Sequence, residues 1–83
     1  MEEKYVIGIR KIVGGKSVTS FLKILDDYKS IIGAFHCCTK FDSIRELNDG
    51  TSYIQNHPGL MLMHNLEYSF IKDNTRYHVT VYC

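Results

Sequence analysis

Three metal-ligand side chains and a lysine crowd one short stretch, Phe35-His36-Cys37-Cys38-Thr39-Lys40-Phe41. Zinc is normally held by about four ligands, with paired cysteines two to four residues apart. Cys37 and Cys38 are adjacent, so on a strand they point to opposite faces. His36 and Cys38 then share a face. His78 joins them if its strand is a neighbour, with His64 or Cys83 as a fourth ligand. No spacing demands this set, so the expectation is no metal and no cofactor, with His36, Cys38 and His78 as the candidate ligands. A redox centre lacks its Cys-x-x-Cys pair, and a Cys37–Cys38 disulfide would need a strained ring. Cys38 with His36 or His78 would make a thiolate pair, but acyl transfer also needs an oxyanion hole and a cleft. No catalytic residue is assigned, and the chain reads as a non-enzyme.

Gly14-Gly15-Lys16-Ser17 raises a phosphate-binding question. A Walker loop needs a glycine where Arg10 stands. What remains is a weak anion site at Lys16 and Ser17, if Ser17 caps a helix. Asp26–Asp27 and Glu2–Glu3 read as solvated charges, since no carboxylate sits in an apolar stretch that would raise its pKa. Met61 and Met63, in Asn56–Asn65, suit a hydrophobic surface better than copper.

The elements that would position these groups follow from periodicity. Residues 4–13 are β-branched and alternate, which predicts a strand. In 17–30, Val18, Phe21, Leu22, Leu25 and Tyr28 keep a helical period behind Ser17, which predicts an amphipathic helix. The competing reading is a strand paired to the first through Gly14–Gly15. Residues 31–41 predict a second strand. Ser43 and Glu46 stand at capping-box spacing and open a helix or two over 42–59. Residues 60–71 and 76–83 flank Lys72-Asp73-Asn74-Thr75 as a β-hairpin. The order β-α-β-α-β-β predicts a single α+β domain over 1–83. It would have a mixed sheet of about four strands, helices on one face and a C-terminal hairpin, the alternative being an N-terminal hairpin in place of the first helix.

Placing Tyr5, Ile7, Ile9, Phe35, Cys37, Leu66, Tyr68, Phe70, Tyr77, Val79 and Val81 toward the helices leaves an outer face of Val6, Arg10, Ile12, His36, Cys38, Lys40, Met61, Met63, His78 and Tyr82. Such a face, apolar and aromatic where a monomer would be polar, predicts a protein partner or a homodimer.

The 83 residues are 45% hydrophobic and 23% charged, the usage of a globular domain. Net charge is +1, which gives no footprint for nucleic acid. The first 41 residues hold seven basic and four acidic side chains, and the rest hold three and five. Three cysteines, two adjacent, do not make a disulfide framework, which points to the cytosol, of a host cell if the chain is phage-encoded. No secretory leader or membrane span is visible. The function expected is a small cytoplasmic binding module, an inhibitor or adaptor of the kind phages and mobile elements carry. The alternatives are a metal- or small-ligand-binding protein using His36, Cys38 and His78, and an anion or nucleic-acid binder.

Overall fold

A computed structural model describes residues 1–25, 29–51, 54 and 66–82. Its strands are β1 (Glu2–Val13), β2 (Lys16–Ile24), β3 (Ser30–Gly33), β4 (Leu66–Lys72) and β5 (Thr75–Tyr82). A 3-10 turn covers Phe35–Cys37, and the helix α1 covers Ile44–Gly50. The strands form one mixed sheet in the order β3-β2-β1-β5-β4, with β1 and β5 parallel at its centre and the other pairs antiparallel.

This overturns the four-stranded α+β arrangement. Residues 16–24 are a strand, not the first turns of a helix. Gly14 and Gly15 have φ of 58° and 79°, the left-handed pair that a two-residue hairpin turn requires. That turn sets Val13 against Lys16 and fixes the register through Gly8 and Phe21. The apolar period of 17–30 misled because Leu22 and Ile24 face one side of the sheet and Phe21 the other, and both sides are covered. Lys23 shares the Phe21 side half-buried, as an aliphatic stem with a charged end permits. At the other end of the chain, Asp73 and Asn74 make the second two-residue turn, at φ 51° and 59°. Aspartate and asparagine tolerate that conformation better than other non-glycine residues.

The helix expected over 42–59 begins as read and is shorter. Ser43 Oγ accepts from the Glu46 amide at 3.2 Å, while Glu46 Oε2 accepts from the Asp42 amide at 3.0 Å. This is the reciprocal capping predicted from Ser43 and Glu46, with the return bond one residue early. The helix ends at Gly50, seven residues long. Among the described residues no helix is long and apolar enough to cross a membrane.

The strand expected over 31–41 stops at Gly33, and the reason lies in the sheet. Continuing the β1–β2 register would set Leu22 opposite Ile7 and Ile24 opposite Tyr5. Instead the two strands part, and residues 39–41 fill the gap. The Thr39 amide donates to the Leu22 carbonyl at 3.1 Å, and Thr39 Oγ1 accepts from the Ile24 amide at 2.8 Å. On the other side, Phe41 and Tyr5 exchange both backbone hydrogen bonds, at 2.8 and 2.9 Å. The chain therefore crosses from one face of the sheet to the other between β1 and β2. Cys38 is buried on one face with Val6, Val79 and Val81. Phe41 is buried on the opposite face with Ile7, Ile9, Leu22, Leu47, Ile54 and Tyr82.

Both faces are thus closed in part, which overturns the helices-on-one-face reading. The parallel register pairs Val6 with Val79 and Ile7 with Thr80, so Ile7 does not share a face with Val79 as expected. Tyr5, Ile7 and Ile9 stand with His78, Thr80 and Tyr82 under α1. Val6, Gly8 and Arg10 stand with Tyr77, Val79 and Val81 under Phe35. There the Phe35 ring meets Phe21, Phe70 and Tyr77 edge-on, at centroid distances of 5.2, 5.3 and 4.9 Å.

The gap gives a direct test. Replacing Thr39 by Val keeps the shape but leaves the Ile24 amide without its acceptor, which should cost about 1–3 kcal/mol in urea unfolding. Thr39→Ser keeps the acceptor and should lose markedly less. Equal stability of wild type and T39V would show that this bond does not hold the crossing segment.

Candidate functional site

The sequence candidates separate into four places. Cys38 is buried under the Phe35 ring, while Cys37 is exposed, the reverse of the strand parity. His36 is exposed on the 3-10 turn. Lys40 lies half-buried beside Cys38: its ammonium donates to the carbonyls of Phe35 and Cys38 at 3.2 and 3.3 Å, sits 3.9 Å from Cys38 Sγ, and lies 4.8 Å from the Phe35 centroid. These contacts close the Phe35 turn with a cation. Burial pushes the Cys38 thiol above its ordinary value of 9.0, and the nearby Lys40 charge only partly opposes this. A raised pKa disfavours the thiolate that a nucleophile or a metal ligand needs.

His78 lies on the opposite face from Cys38, so the structure does not bring His36, Cys38 and His78 together. Among the described residues no group of three or more His, Cys, Asp or Glu side chains could hold a metal ion. His78 stacks on Tyr5 at 4.9 Å, and its Nε2 lies 3.0 Å from Glu3 Oε1. Tyr82 is buried on the same face, and its hydroxyl pKa is raised, first by burial and then by the negative charge of Glu67. Met61 and Met63, like His64 and Cys83, lie outside the described residues.

Beside the Tyr5–His78 stack runs an open groove of about 270 Å³, lined by Tyr5, Ile44, Glu67, Ser69, His78 and Thr80 among others. Its ionisable groups besides tyrosine are the Glu67 carboxylate and the His78 imidazole. Ile44 contributes an exposed aliphatic wall at the start of α1.

Arg10, Lys16 and Ser17 belong to the fourth place, the tip of the β1–β2 hairpin. Ser17 caps no helix here, so the anion site expected from a helix N-terminus is not formed. Among the described residues, β5 pairs with β1 no further than Ile9, and β3 pairs with β2 no further than Phe21. Residues 10–19 therefore project beyond the sheet as a two-stranded arm, roughly four residue pairs or ~13 Å long. Ile12 is 77% exposed, Val13 62% and Val18 45%. Lys11, Val13, Lys16 and Val18 share one side of the arm, and Arg10, Ile12, Ser17 and Thr19 the other, by the pairing of Lys11 with Val18 and Ile12 with Ser17. Arg10 Nε is shielded from solvent and has no hydrogen-bond partner among the described residues.

Sequence reasoning missed Lys11, Val13 and Val18 because it placed Val18 inside a helix. One signal was available: from Lys4 to Leu25 the chain carries five basic side chains and no acidic one. Comparison with family models, curated proteins and solved structures gives no match.

Cysteine chemistry tests the Cys38 environment. In a Cys83→Ser background a thiol reagent should label Cys37 rapidly and Cys38 only after unfolding. Because the folded-state pKa of Cys38 is raised, its protonated form contributes stability that is present below pH 9.0 and lost as pH climbs through the folded value. Cys38→Ala should therefore flatten the alkaline side of a stability–pH curve, and an unchanged curve would refute the assignment.

Proposed function

We propose that the protein is a small cytoplasmic binding module that acts by protein–protein contact, as an inhibitor or adaptor, and that the β1–β2 arm is its docking element. One observation carries this: three large aliphatic side chains, Ile12, Val13 and Val18, stand exposed on a projecting two-stranded arm. An arm of this composition without a partner would be an aggregation hazard, because its backbone edges and apolar side chains both lie open. Interfaces combine apolar cores with arginine and a polar rim, and the arm offers Arg10, Lys11 and Lys16 around its aliphatic groups. The expected outer face is replaced as the binding surface, since Cys38 and Tyr82 are buried on opposite sides of the sheet. A nucleic-acid reading is weaker. Three cations contribute little phosphate neutralisation, and the most exposed side chains of the arm are aliphatic.

A photo-crosslinking amino acid at position 18 should give discrete protein adducts in cells, with few from a control position at Asp73. The same probe in an Ile12→Ser, Val13→Ser chain should give fewer adducts while the fold, followed by circular dichroism, is retained. Equal labelling from both positions, or adducts removed by nuclease, would reject the docking role of the arm.

A further inference from the structure

Resting on the docking role of the arm, we infer that its partner is a second copy of this chain, with each arm seated in the other copy's groove at Tyr5, Glu67 and His78. The argument is one of charge and shape carried by a single molecule. The arm is basic on both sides, with Arg10 on one and Lys11 and Lys16 on the other, inside a stretch that lacks any acidic residue from Lys4 to Leu25. Two carboxylates stand at the groove, Glu67 in its lining and Glu3 against its His78, with Arg76 opposite Glu3 in the register. Glu67 is exposed on β4, and Glu3 is half-exposed beside His78. The negative charge of Glu67 is felt by Tyr82 on the same face. The apolar parts also match: the arm brings Val13 and Val18 on the side that holds Lys11 and Lys16, and the groove offers the Tyr5 ring and the exposed Ile44.

The net charge of only +1 keeps overall repulsion between two copies weak. Two copies together carry only +2, too little to outweigh the local match of a basic arm with carboxylates at the groove. Arm and groove are different surfaces of one chain. A two-fold axis can nevertheless use both at once, each copy giving an arm and receiving one, so that the contact closes as a dimer and does not propagate.

Sedimentation of charge-reversed variants tests the pairing. The wild type at roughly 100 μM should be dimeric, and its dissociation constant should rise at least tenfold as NaCl goes from ~50 to ~500 mM. Lys11→Glu with Lys16→Glu makes the arm acidic against an acidic groove, and that chain should be monomeric. Glu3→Lys with Glu67→Lys makes the groove basic against a basic arm, and should also be monomeric. Mixed in equal amounts, the two variants make two complementary contacts, the acidic arm in the basic groove and the unaltered arm in the unaltered groove, so a heterodimer should form. Rescue on mixing excludes misfolding as the cause of monomeric behaviour. A monomeric wild type, or two monomeric variants that stay monomeric when mixed, would overturn the inference. Position-18 adducts with other proteins, alongside a monomeric wild type, would overturn self-association and leave the docking role of the arm standing. The absence of protein adducts would remove both.

Discussion

The parting of β1 from β2 after Gly8 and Phe21 is the constraint on which the rest of the structure depends. Two neighbouring strands that separate leave backbone donors and acceptors unpaired, and unpaired buried groups are expensive. Thr39 satisfies one strand with a backbone and a side-chain bond, and Phe41 satisfies the other with two backbone bonds. The gap is thereby turned into a passage. Because the chain goes through it, Phe35 and Cys38 come to lie on one face, and Phe41 and α1 on the other. A sheet that would have had one covered side acquires two.

This passage also explains the distribution of polar groups. Lys40 sits where the chain enters the gap, and its ammonium donates to the Cys38 carbonyl and to the Phe35 carbonyl, which also accepts from the Cys38 amide. Lys72 approaches the same Phe35 ring at 5.4 Å from its centroid. The aromatic face thus carries two cations, which permits a ring cluster close to solvent. On the far side of the passage, Lys4 and Asp42 form an ion pair next to the Tyr5–Phe41 bridge. Within the reactive-looking heptapeptide from Phe35 to Phe41, Cys38 packs as a small apolar group while Cys37 is exposed.

Local signals were legible where they were local in origin. The capping pair Ser43 and Glu46 and the C-terminal hairpin could be read from residue types alone, as could the strand opening the chain. Residues 17–30 were misread because Val18, Phe21, Leu22 and Leu25 satisfy a helical period, and a two-sided strand produces the same pattern. Gly14–Gly15 was the stronger signal, since turn geometry outweighs a short apolar period. The face assignment failed for a different reason. Val6 and Ile7 are both apolar, so alternation within β1 does not say which one stands with Val79. That is set by a parallel register between strands about seventy residues apart, which no periodicity encodes. The β1–β2 arm is illegible for the same reason: periodicity puts Ile12 on an outer sheet face and Val18 in a helix, whereas their exposure on one hairpin follows from where β5 and β3 stop.

The same central pair has a consequence for how the protein is made. β1 and β5 hold the middle of the sheet, with Glu2 set against Thr75 and Ile9 against Tyr82. Every other described strand of the sheet precedes β5, so a growing polypeptide emerging from the ribosome holds the β1–β2 and β2–β3 pairs long before it holds its keystone. β1 must wait, apolar on both sides, until the last strand arrives. Such distant pairing slows folding, and it makes the interval of synthesis the time at which this chain is most exposed to chaperones and proteases.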